Sequence, residues 1–105
     1  MYQLRIYTLK TADALERYAT VHWPRHILSL PAFGITTRGI WTEHDGDAHR
    51  LIALISCPNG ADPADLITTY MATPEFAADM DRFDVNNIVN VSEILLDPIA
   101  ASPLD

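Results

Sequence analysis

Between Tyr2 and Lys10 the chain runs YQLRIYTLK, and this alternation constrains the fold more than any other stretch. A strand has a side-chain period of two, so Leu4 and Ile6 go to one face and Gln3, Arg5 and Tyr7 to the other. One face must meet an apolar layer, and the other must meet something that tolerates a charge. The simplest assignment puts helices on the Leu4 and Ile6 face, which turns Arg5 away from them.

Thr11 follows as an N-cap with Asp13 in the first turn, and Leu15, Tyr18, Ala19, His22, His26 and Leu30 recur at helical spacing. Pro24 lies inside that helix. A proline there removes the bond to the carbonyl of Thr20 and costs about 3 kcal/mol or more, so a kink is expected between His22 and Arg25. Pro31 and Gly34 end the helix. A second strand is expected over Gly34–His44, a turn at Asp45, Gly46 and Asp47, and a third strand over His49–Cys57 that is apolar on both faces and therefore interior. Asp62 with Pro63, and Thr73 with Pro74, carry strong helix-start signals. Ile88–Leu96 is the last strand, with Val89, Val91, Glu93 and Leu95 in one row. Residues 1–97 make one domain and 98–105 a tail.

The order strand, helix, strand, strand, helix, strand is the ferredoxin-like α+β sandwich, with the first and third strands central in an antiparallel four-stranded sheet. Both helices cover one side. The other side would then show Tyr7, Ile40, Val89, Val91 and Leu95, too apolar for water, so a second copy is expected to cover it and close a homodimeric barrel. In that arrangement Arg5 and Glu93 form a structural ion pair on neighbouring strands, facing the second subunit.

Composition narrows the function. Seven basic against fourteen acidic residues give a net charge of -7, without a basic stripe, which argues against nucleic acid or an anionic membrane as partner. Neither an export signal nor a membrane-spanning run is apparent, and the single Cys57 sits in an apolar run, so a reduced core thiol in the cytoplasm is expected.

Four segments in order carry a family resemblance: YQLRIYTLK, GITTRGIWTE from Gly34 to Glu43 followed by Gly46, YMATPEF from Tyr70 to Phe76, and the closing strand with Glu93 before SPL. Together they resemble the NIPSNAP family of the dimeric α+β barrel superfamily. The resemblance implies the fold above, and a reach toward the cofactor-free oxygenases, cyclases, isomerases and dehydrating enzymes of that superfamily, which act on aromatic or polyketide-like molecules. This chain departs from its relatives in the third strand, where Ala53, Ile55 and Cys57 stand in place of a histidine and aromatics.

The candidate catalytic residues are His22 and His26, one helical turn apart, where two imidazoles can converge on one substrate proton. Their bland alternative is packing in the core. No Glu stands between them and no third ligand is placed by spacing, so no metal is expected. Trp23, Phe33, Arg38 and Trp41 are candidate ligand contacts, against core packing for the aromatics and a solvated charge for Arg38. Without a glycine-rich phosphate loop or a nucleophile elbow, no cofactor is expected. Two functions remain: an acid/base enzyme acting on a cyclic, largely apolar substrate, or a noncatalytic ligand-binding or dimeric interaction module.

Overall fold

Three side-chain caps set the frame. Thr11 accepts from the Ala14 amide at 3.0 Å, Asp62 from Ala64 at 3.0 Å and Thr73 from Phe76 at 3.3 Å, each satisfying an otherwise orphaned helix N–H. A computed structural model describes residues 1–104. Along the chain these are β1 (Tyr2–Leu9), α1 (Ala12–Arg17), a π-helical turn (Tyr18–His22), α2 (Trp23–Ser29), a 3₁₀ turn (Leu30–Phe33), β2 (Thr36–Thr42), β3 (Arg50–Ser56), α3 (Pro63–Met71), α4 (Pro74–Asp79), a second 3₁₀ turn (Val85–Asn87) and β4 (Ile88–Leu96). The strands form one antiparallel sheet in the order β2-β3-β1-β4, the expected ferredoxin-like arrangement.

The distortion at Pro24 is a π-helical turn. Proline cannot donate to the carbonyl of Thr20, and the helix absorbs the loss by widening just before it: the Trp23 amide reaches back to the carbonyl of Tyr18, and Pro24 falls in the first turn of α2. Such a bulge rotates the residues on either side of it, and Tyr18, His22, Trp23 and His26 all become buried. Gly34, at φ 81°, supplies the left-handed residue that ends this segment, where a side chain would be strained.

The facing of the sheet is opposite to the sequence expectation. Gln3, Arg5, Tyr7 and Leu9 are buried beneath the helices, whereas Leu4 and Ile6 are only half-buried on the open side. The strand register carries this through the sheet: Tyr7 lies beside Leu51 and Val91, and Arg5 beside Ala53 and Glu93. Tyr7 and Ile40 therefore pack with the helix-side core, and the open side presents Leu4, Ile6, Ile52, Leu54, Trp41, Ile94 and Leu96 instead. The polar row can go inside because its members spend their polar groups on one another. Arg5 Nε donates to the Tyr7 hydroxyl at 2.7 Å, and Arg5 Nη1 donates to Gln3 Oε1 at 2.9 Å. Cys57 is buried as expected, and burial pushes its thiol pKa up.

Candidate functional site

The helices do not reach across the whole sheet. Between them and β1 and β4 lies a cavity of about 390 Å³, at the small end of ligand-site volumes. Its walls are mostly apolar and aromatic, among them Tyr18, Trp23, Leu30, Phe76, Met80 and Val91, and its polar groups include Arg5, Tyr7, His26 and Tyr70. Tyr7 packs edge-on against Tyr18, with centroids 5.4 Å apart, and against Trp23 at 5.9 Å, which fixes one wall.

His26 is held by a chain of hydrogen bonds that runs across three helices. Its Nδ1 lies 2.5 Å from the Tyr70 hydroxyl on α3, and that hydroxyl donates to Asp79 Oδ2 at the end of α4. The Asp79 carboxylate is 3.7 Å from the same nitrogen. A phenol has one proton. Because Tyr70 gives its proton to Asp79, it must accept from His26, so Nδ1 carries the imidazole hydrogen and Nε2 keeps its lone pair. Aromatic rings fix the imidazole plane: Phe76 stacks on it at 6.0 Å, and Trp23 and Tyr70 meet it edge-on at 5.2 and 5.7 Å.

The electrostatics follow from burial. Desolvation lowers the His26 pKa to about 4, while Asp79 pulls in the opposite direction and His22 adds to the lowering. Burial first, and then the bond to Asp79, raise the Tyr70 pKa above its ordinary value. Tyr18 is also raised well above the ordinary value, chiefly by burial. At neutral pH His26 is therefore an uncharged imidazole, and Tyr18 and Tyr70 keep their protons, beside the positive charge of Arg5.

The two histidines do not converge. His22 is fully buried, and its Nδ1 donates to the Asp79 backbone carbonyl at 2.8 Å. Arg25 Nη1 donates to the same carbonyl at 3.2 Å. These two side chains satisfy the end of α4, where carbonyls would otherwise be orphaned, and His22 does not line the cavity. The Pro24 distortion separates the roles, giving His22 to packing and His26 to the cavity.

Of the other candidates, Trp23 lines the cavity and Phe33 lies behind it, 5.3 Å from the Tyr70 ring. Arg38 and Trp41 are on the far side of the sheet. Arg38 Nε donates to Ser56 Oγ at 2.9 Å in an exposed position, and the Trp41 ring folds over Gly39, where an added Cβ would sit 2.4 Å from it. Arg5 and Glu93 pair at 3.2 Å across neighbouring strands, but on the helix side: Arg5 lines the cavity with His26 and does not face outward. Among the described residues no group of three or more His, Cys, Asp or Glu side chains is placed to hold a metal.

Tyr70 and Asp79 have no sequence spacing relative to His26 that would identify them, because they arrive from separate helices. One signal does exist. Asp79 ends a helix, where a carboxylate opposes the helix dipole, so its position calls for a tertiary partner.

An antiparallel α+β sandwich with a small-molecule-sized cavity between sheet and helices is the class defined by this geometry. The chain belongs to the NIPSNAP family, whose model matches residues 2–103. It is similar to an uncharacterized NIPSNAP domain protein from Burkholderia xenovorans, 20% identical, with a TM-score of 0.74 and 97% of each chain covered. A NIPSNAP family protein of unknown function from Agrobacterium tumefaciens is 20% identical, with a TM-score of 0.76, 99% of this chain covered and 92% of that one. An antibiotic biosynthesis monooxygenase shares the fold at 10% identity and a TM-score of 0.56, with 94% of this chain and 99% of that one covered. No curated protein matches the chain.

Proposed function

We propose that this protein carries out acid/base chemistry on a cyclic, largely apolar small molecule, with His26 as the group that accepts the proton. The observation that carries this reading is the His26–Tyr70–Asp79 hydrogen-bond chain at the wall of an apolar cavity, from which the His26 tautomer follows. Nδ1–H is committed to Tyr70 and Asp79, which leaves the Nε2 lone pair as the base. A proton passes from an acidic C–H or O–H of the substrate to Nε2, and the electron pair stays on the substrate as an enolate or phenolate. The imidazolium formed is stabilised through Tyr70 by Asp79, which opposes part of the desolvation that lowers the His26 pKa to about 4.

The test is turnover against a panel of polyketide and phenolic compounds, with His26→Gln as the comparison. Loss of about 10²- to 10⁴-fold in kcat is expected. Unchanged turnover in the variant overturns the assignment, and binding without turnover of any compound leaves a noncatalytic ligand-binding module.

We further propose that a second copy covers the open side of the sheet. Trp41, Ile94 and Leu96 are 53%, 48% and 37% exposed there beside half-buried Leu4, Ile6, Ile52 and Leu54, an apolar patch that water disfavours.

A further inference from the structure

Arg5 is a buried cation whose donors are not all used. Its side chain is 6% exposed, Nε donates to Tyr7, and Nη1 donates to Gln3 and lies 3.2 Å from Glu93 Oε1. A guanidinium has five N–H donors in a planar fork. Hydrogen bonds occupy two of them, Nη1 meets Glu93 as an ion pair, and Nη2 makes no hydrogen bond among the described residues. The counter-charge is also incomplete. The Glu93 side chain is 45% exposed and screened by water, whereas Arg5 is desolvated at the wall of the same cavity as His26. On the other flank its cross-strand neighbour is Ala53, too small to cover the guanidinium.

We propose that Arg5 binds an oxyanion of the ligand, specifically an enolate or phenolate oxygen on an otherwise apolar ring. The inference rests on the acid/base reading, because this oxygen is the one left negative when His26 removes the proton. The walls explain why a ring oxyanion is favoured over a carboxylate. A carboxylate brings two strongly hydrated oxygens, while the cavity offers one partly compensated guanidinium among hydrocarbon and aromatic surfaces. A phenolate spreads its charge into the ring and needs a single donor group. Arg5 is in this account a binding residue for the anion, and Glu93 tempers its charge when the site is empty.

The test is an absorbance titration with 4-nitrophenol, whose neutral and ionised forms are spectrally distinct, and with 4-nitrobenzoate in parallel. The native protein is expected to bind the phenolate in preference, raising the ionised-to-neutral ratio of bound ligand about tenfold or more over that of the free ligand at the same pH. Arg5→Gln should abolish this preference and Arg5→Lys retain part of it, with Tm confirming that each variant folds. Glu93→Gln should tighten phenolate binding, which a purely structural ion pair would not do. The inference is overturned if Arg5→Gln binds phenolate as the native protein does, if Glu93→Gln weakens binding, if the benzoate binds as tightly, or if the native protein binds neither form. Because the readout is binding, Arg5-dependent phenolate capture with no turnover on any substrate sustains the anion site and overturns only the catalytic reading.

Discussion

The two faces of β1 differ in the reverse of the usual sense. The row with the charge, Gln3, Arg5, Tyr7 and Leu9, lies under the helices, and the row of aliphatic residues, Leu4 and Ile6, lies on the open side. Polarity alone therefore does not decide which way a strand faces. A polar row can be interior when its groups satisfy one another, as Arg5 does with Tyr7 and Gln3, and when one side of it borders a cavity. The aliphatic row can be outward when another surface is to cover it. The covered face borders a cavity, and the open face exposes an apolar patch that includes Trp41, Ile94 and Leu96.

The two tryptophans probe this difference with the same side chain. Trp23 is 3% exposed in the cavity wall, and Trp41 is 53% exposed on the open face. Trp23→Ala should cost about 3–5 kcal/mol in urea unfolding, as large-to-small changes in a packed interior do. Trp41→Ala should cost less than about 1 kcal/mol at low protein concentration, with a penalty that grows as concentration rises if a second copy covers it. Equal costs at all concentrations would erase the distinction between the faces.

Acid gives the next largest effect, again confined to the covered face. An unfolded His26 takes up a proton below about pH 6.5, whereas the folded one, with its pKa lowered to about 4, does not until the pH reaches that value. Between these pH values unfolding consumes a proton. The contribution is thus fully retained above pH 6.5 and is lost progressively as the pH falls to about 4, on the order of 3 kcal/mol in total. Unfolding free energies of the native protein and His26→Gln, compared from pH 7 to 4, should converge by that amount. Parallel curves would show that His26 titrates normally.

Much of the frame was legible because it depends on local chemistry. Thr11, Asp62 and Thr73 are caps in the sequence and in the structure, and the span Ile88–Leu96 follows from its residues. The order of elements then leaves few topologies. The facing of β1 was not legible, since it depends on Arg5 meeting Tyr7 and Gln3 inside the fold. The site was half-legible. His22 and His26 could be picked out as a pair one helical turn apart, yet only the tertiary contact with the Asp79 carbonyl assigns His22 to packing. Tyr70 and Asp79 lie 44 and 53 residues from His26 on other helices, and no periodicity links them.

The most direct test of the account is a nitrogen NMR titration of His26, because the cavity chemistry depends on its tautomer. The account predicts a neutral ring with the hydrogen on Nδ1 and a bare Nε2 from pH 8 to 5, titrating near 4. A ring that carries its hydrogen on Nε2, or that titrates near the ordinary value of about 6.5, would contradict it.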